Sequence, residues 1–176
     1  MDYKLVYEVT QDIDFAWFFP FIMFIFLLFF PKIYVYCNII NNKEQYNTEF
    51  SIRIIKIFSR ICAVFVFMFC LLYVNNFIQE YKTIVIPYKE GNYKIVEGYV
   101  ENYVPMPYEG RGHHESFEIN HVKFDYEHYS VGLGYHRAGS HGGIINRNGQ
   151  KLKIGYITCG NENIIVRIEV PANEEN

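Results

Sequence analysis

Residues 15–30 read FAWFFPFIMFIFLLFF, sixteen apolar residues without a charge, and residues 61–74 read ICAVFVFMFCLLYV, fourteen more. At ~1.5 Å per residue the first run covers about 24 Å, short of the ~30 Å hydrocarbon core of a bilayer. Continuing through Ile33, Tyr34, Val35 and Tyr36 closes the gap if Lys32 extends its amine to the interface. The second run reaches the same length over 57–78, with Arg60 at one end and Asn75-Asn76 at the other. A chain of 176 residues is too small to cover two helices that are apolar on every face. The expectation is a transmembrane helical hairpin within residues 1–78, with spans at about 14–36 and 57–78. A cleaved leader is not expected. Asp2, Glu8, Asp12 and Asp14 replace the usual basic start, and Pro31-Lys32 offers no small-residue cleavage site.

Pro20 falls early in the first span, where a missing N–H costs least. Eight phenylalanines and no small-x-x-x-small pair make the first span bulky, so close backbone dimerisation through it is not expected. Between 48 and 60, Phe50, Ile54, Ile57 and Phe58 with Arg53 and Lys56 suit either an interfacial amphipathic helix or an early start of the second span.

Composition changes abruptly beyond the second span. Residues 1–78 contain no glycine, whereas all 12 glycines lie between Gly91 and Gly160, and all six histidines between His113 and His141. The break places a domain boundary near residues 75–80, leaving 79–176 as a soluble domain of 98 residues. That domain carries 10 Lys/Arg and 13 Asp/Glu with no basic run, which argues against a partner that is a nucleic acid polymer. Only Cys159 of the four cysteines lies in it, so cysteine usage is silent on compartment.

Short alternating runs within 79–176 predict six or seven strands in a small all-β barrel, of the OB or SH3-like kind, or a sandwich. Residues 83–87 read as a short strand, and 93–104 (YKIVEGYVENYV) as the longest, with Val96, Gly98, Val100 and Val104 on one face and a bulge or sharp coiling at Gly98. Residues 116–119 and 122–126 read as a hairpin turning at Asn120-His121, where Asn-Gly would suit the positive φ better. Residues 131–135 form a glycine-weakened candidate strand. In the last hairpin, Leu152, Ile154 and Tyr156 face inward opposite Ile164, Val166, Ile168 and Val170.

Two irregular stretches, 105–114 and 136–149, mix glycine with histidine, charge and tyrosine. Loops of that length carry function more often than they merely connect. The expectation is that they share one rim and form a ligand or partner surface of Tyr108, Arg111, His114, Ser140, His141 and Gly142. Its chemistry would be backbone N–H groups and neutral histidines presented to an anion or a partner loop. The six histidines match no H-x-x-x-H or C-x-x-C spacing, so neither a metal nor another cofactor is expected. Glu115-Ser116 and Ser140-His141 supply the residue types of a nucleophile–base set, but no G-x-S-x-G elbow accompanies them and no catalytic residue is assigned.

The stretches VEGYVENYVPMPYEG, ESFEINHVKFDY, SHGG and RIEV, spread over residues 96–170, make the chain resemble a widespread group of uncharacterised bacterial proteins, typically membrane-anchored. The resemblance implies a small β domain on a membrane anchor and transfers no activity. The chain departs from it at Asn120-His121, where the group usually has Asn-Gly.

Five basic residues (Lys32, Lys43, Arg53, Lys56 and Arg60) lie between the spans, against Lys4 before them and Lys82, Lys89 and Lys94 in the twenty residues after. The excess assigns the loop to the cytoplasm and both termini to the outer side of a bacterial cytoplasmic membrane. The function expected is a non-enzymatic interaction or accessory module. Its partners would be the lipid bilayer and either a membrane protein complex or a second copy. The alternative is a cytoplasm-facing sensor-effector whose barrel binds a small, cyclic nucleotide and whose helices perturb the membrane. Known antiviral effectors with two helices and a β-barrel resemble that plan in outline.

Overall fold

The computed structural model describes residues 2–11, 18–40, 48–109 and 112–172. The chain divides into two compact units, Asp14–Ile78 and the pair of segments Met1–Ile13 and Gln79–Asn176.

The first unit holds helix α1 (Phe19–Ile40) and most of helix α2 (Thr48–Glu80), of 22 and 33 residues. Both are long and apolar enough to cross a membrane. Large apolar side chains, among them Phe19, Ile25, Phe29, Phe58, Phe69 and Leu72, stand exposed along them. Residues 48–60 are the unbroken start of α2 and run straight into the second apolar stretch. The two helices meet through small side chains of α2: Ser59, Ala63 and Cys70 are buried, and Phe24 packs on Phe67. α1 contains Pro31 in its interior. A proline there has no N–H to give the carbonyl four residues back, which is that of Leu27. The Ser59 hydroxyl donates to that same carbonyl. A serine on the neighbouring helix thus satisfies the acceptor that the proline orphans, the standard remedy where water is absent.

A double-substitution cycle tests this pairing. Ser59→Ala alone is expected to loosen the hairpin by about 1–2 kcal/mol, measured by denaturant-induced separation of the helices in detergent. In a Pro31→Ala background, which restores the N–H, the same change should cost almost nothing. Equal costs in both backgrounds would show that Ser59 and Pro31 are uncoupled.

In the second unit, α2 passes through a π-helical turn (Tyr81–Val85) into a short helix α3 (Ile86–Lys89), where a strand over 83–87 is expected. The reason is local: a helix already formed extends more cheaply than a new element nucleates. The turn buries Ile84 and Val85 together, and Pro87 sits near the start of α3, where its missing N–H is harmless.

Seven strands follow the order β1 (Tyr3–Glu8), β2 (Lys94–Tyr99), β3 (Glu101–Val104), β4 (Glu115–Ile119), β5 (Val122–Tyr126), β6 (Lys151–Cys159) and β7 (Glu162–Pro171). They make two open antiparallel sheets, β1-β7-β6-β2 and β3-β4-β5, so the expected closed barrel is corrected to a pair of sheets. Alternation in a strand reports which residues face inward and suits either architecture equally.

β1 is the largest departure. It precedes the helices in sequence yet pairs with β7, and the following residue, Val9, is 1% exposed. The β unit is therefore not confined to residues 79–176. The long strand over 93–104 is also two strands in different sheets, split at Val100. Gly98 pairs in register with Leu152, without the expected bulge. A Cβ on Gly98 would come 2.9 Å from Ile119 of the other sheet, so glycine serves close approach there. Val104, placed by alternation on the inward face, is exposed because Asn102 (φ 52°) interrupts the phase. Residues 131–135 are irregular, although Leu133 and Tyr135 are buried.

Both expected hairpins form. β4 and β5 turn at Asn120-His121 (φ 48° and 64°), the backbone of a two-residue type I′ turn, with Ile119 opposite Val122. In β6–β7 the inward positions Leu152, Ile154 and Tyr156 are buried. Of the expected β7 face, Ile168 lies in the core, Val166 is buried and Val170 packs against the core, but a register shift at Gly155/Tyr156 changes the phase before them, so Ile165 enters the core cluster opposite Tyr156 in place of Ile164. The core lies between the sheets, with Phe124 of β5 meeting Tyr156 of β6 edge to face at 5.4 Å.

Candidate functional site

The site is built upward from one buried carboxylate. Glu115 opens β4 in phase with Phe117 and Ile119, so strand alternation carries it inward, and it is 0% exposed. Tyr126, directly opposite on β5, donates its hydroxyl to Glu115 Oε1 at 2.6 Å, and Tyr103 of β3 donates to Oε2 at 3.0 Å. The third donor is the backbone N–H of Gly139, 2.9 Å from Oε2 and 3.2 Å from Oε1. Burial, and then the carboxylate, push the titrations of Tyr103 and Tyr126 far above the ordinary phenol value. Burial pushes that of Tyr135 up to about 12. These hydroxyls therefore remain donors at any physiological pH. A Cβ on Gly139 would lie 2.6 Å from the Tyr103 hydroxyl and 2.8 Å from the Ile145 carbonyl. Only glycine lets this backbone reach the carboxylate.

Glu115 thereby seats the 3-10 turn Gly139–His141, which carries the exposed part of the site. The His141 imidazole stacks on Tyr108 (4.6 Å between centroids, 4° between planes) and on His128 (4.0 Å, 15°). Tyr129 meets both histidines edge-on. Tyr129 donates to the Tyr108 carbonyl at 3.4 Å and its hydroxyl lies 3.2 Å from His141 Nε2, while Ser140 Oγ lies 3.1 Å from His141 Nδ1. The Ala138 N–H donates to His128 Nδ1 at 3.4 Å.

Comparison with protein-family models, with curated proteins and with solved structures yields no match.

Of the six residues expected at a shared rim, Tyr108, Ser140 and His141 are in direct contact. Gly142 (φ 77°) ends the turn. Arg111 lies outside the described residues. His114 is engaged elsewhere, with Nδ1 2.6 Å from Asp125 Oδ1, on a cleft of about 360 Å³ that Leu133 and Tyr135 also line. The expected display of backbone N–H groups to an anion is corrected. The N–H groups of His141 and Gly143 bond the Ala138 carbonyl, that of Gly142 bonds Gly139, and that of Gly139 is taken by Glu115. Three of these N–H groups are spent on the turn's own carbonyls and the fourth on Glu115. The same fact leaves Ser140 without an oxyanion cradle from residues 141–143, and His141 bonds Ser140 and Tyr129 rather than Ser116. Among the described residues no three His, Cys, Asp or Glu side chains converge as metal ligands.

Sequence reasoning missed Glu115, His128 and Tyr129 as members of the site. A signal existed for Glu115, since it shares the inward phase of Phe117 and Ile119 on its strand. His128 and Tyr129 follow the end of β5 and have no periodicity to place them.

Proposed function

We propose that the chain is a membrane-anchored, non-enzymatic interaction module whose β unit offers the Tyr108–Ser140–His141 rim to a partner on the outer side of a bacterial cytoplasmic membrane. The observation that carries this reading is the pairing of β1 with β7. The segments before α1 and after α2 belong to one sheet, as a two-span hairpin requires if the chain is to leave and re-enter the same side. The length and apolarity of α1 and α2, and the sealed Leu27 carbonyl, support a lipid surround. Lys32 in the last half of α1, Lys43 between the helices, and Arg53, Lys56 and Arg60 in the first turns of α2 support a cytoplasmic side for that end of the hairpin. The exposed Tyr108 and Tyr129, held on a turn seated by Glu115, suit a protein surface or a second copy more than a nucleic acid polymer.

Compartment-sensitive reporters fused in turn to each terminus test the arrangement. Both are expected to be active only outside the cytoplasm. Opposite readings from the two termini would sink the two-span hairpin. Cytoplasmic readings from both would keep the hairpin and turn the rim toward cytosolic ligands, favouring a nucleotide-sensing role.

A further inference from the structure

We propose that one flank of the α1–α2 hairpin is a binding site for an anionic phospholipid, with Lys32, Arg53, Lys56 and Arg60 holding its phosphate and the exposed apolar side chains beside them taking its chains. This rests on the reading of α1 and α2 as membrane spans, and it gives the hairpin a ligand of its own, apart from the rim of the β unit.

The four cations fall at one level. The Ser59 hydroxyl meets the Leu27 carbonyl, which fixes the antiparallel register of the two helices. At ~1.5 Å per residue, Arg60, Lys56, Lys32 and Arg53 then lie within about 10 Å of one another along the hairpin axis. They also fall on one side. Ser59, Ala63 and Cys70 are buried and mark the direction in which α2 faces α1. Successive residues of a helix turn by about 100°, so Lys56, Arg60 and Arg53 stand roughly 40°, 80° and 100° round from that direction in one sense. On α1 the half-buried Phe24, Leu27, Pro31 and Tyr34 face α2, and Lys32 stands about 120° round from them in the same sense. In two antiparallel helices the same sense of rotation leads to the same flank of the pair. All four side chains are exposed.

Counter-charges are scarce. Residues 19–40 and 50–78 contain no Asp or Glu, and between residues 15 and 78 Glu44 and Glu49 stand against five Lys and Arg. Among the described residues none of the four cations meets a carboxylate, and Lys32 rests its amine over the Phe29 ring at 5.8 Å. Cations grouped in this way at the end of a membrane span are complementary to the phosphates of anionic lipids. Deeper along the same flank the surface turns apolar. Leu28 of α1 and Val64 and Leu71 of α2 are exposed there, about 80–120° round in the same sense. A headgroup on the cations therefore lays its chains along apolar side chains. Membrane orientation needs only an excess of positive charge at that end. Gathering the charge onto one flank, in line with an apolar strip, is what a bound lipid adds.

The test titrates the full-length chain in a neutral detergent with phosphatidylglycerol or with phosphatidylcholine of the same chains, and native mass spectrometry counts the bound lipid. Phosphatidylglycerol is expected to bind about tenfold more tightly. The triple substitution Arg53→Gln, Lys56→Gln and Arg60→Gln should remove the preference. Lys82→Gln, Lys89→Gln and Lys94→Gln together change the net charge equally beyond the second span and should preserve it. Glycerol phosphate, the headgroup without its chains, should not displace the lipid at equal concentration. Equal affinity for the two lipids overturns the site. So does a preference that survives the first triple substitution, one that the second also removes, or displacement by glycerol phosphate. Should the first variant fail to fold, the wild-type comparisons decide alone. Carbonate extraction from cell membranes is read separately. A chain that resists extraction but shows no lipid preference loses the site and keeps its spans, whereas an extracted chain loses both.

Discussion

Replacing Glu115 by alanine is expected to destabilise the β unit by roughly 3–5 kcal/mol, a large part of the ~5–15 kcal/mol that holds a domain of this size together. The cost comes mostly from what the carboxylate leaves behind. The hydroxyls of Tyr103 and Tyr126 and the N–H of Gly139 all donate to it at 2.6–3.0 Å. Each buried donor without an acceptor costs about 1–3 kcal/mol. Relaxation of the 3-10 turn toward water would recover part of that for Gly139 but little for Tyr126, which is 9% exposed. Glu115→Gln retains one carbonyl acceptor and the side-chain volume, so it should fall between alanine and the wild type. Urea unfolding of the full chain in detergent, followed by near-ultraviolet circular dichroism, measures both. A loss below about 1 kcal/mol for the alanine variant would mean that the three donors find other partners and that Glu115 does not organise the rim.

The second large effect concerns the N-terminal strand. A polypeptide of residues 79–172 alone is expected to be roughly 3–5 kcal/mol less stable than one in which residues 2–11 are joined to it by a flexible glycine–serine linker of about 15 residues. Without β1, the edge of β7 from Arg167 to Pro171 loses its ladder partner. Val9 no longer fills the core, a loss of about 1.5–3 kcal/mol for a buried aliphatic side chain. The edge-to-face contact of Tyr7 with Tyr135, 5.1 Å between centroids, adds about 0.5–1.5 kcal/mol. Thermal unfolding of the two polypeptides gives the comparison. Equal midpoints would show that β1 rests on the sheet without supporting it.

The same strand marks the limit of what could be read in advance. YKLVYE has the alternation of a strand, but it stands next to a long apolar run and far in sequence from its partner β7, and nothing local announces a pairing across some 160 residues. The two hairpins β4–β5 and β6–β7 were legible because turn and partner lie within a few residues of each other. Residues 83–87 misled for the opposite reason. Their β-branched content suggests a strand, whereas the helix arriving from α2 carries them onward. At the rim, glycine-rich composition located the two loops, and Tyr108 and His141 do meet. Composition could not say that the turn's N–H groups would be spent on its own carbonyls, since that depends on backbone angles.

By itself, the sequence determined two long apolar helices, a glycine-bearing β region after them, and the inward faces of β4, β5 and β6. These follow from periodicity and hydrophobicity, which act over one or two turns of chain. Only the tertiary structure decided that β1 closes the edge of β7, that the strands form two open sheets, and that Ser59 seals the carbonyl left open by Pro31. It also decided that Glu115, rather than a histidine, is the centre on which the rim is built. Each of these is a contact between residues distant in sequence. Its free energy comes from burying donors, acceptors and apolar surface together, a quantity that no local pattern encodes.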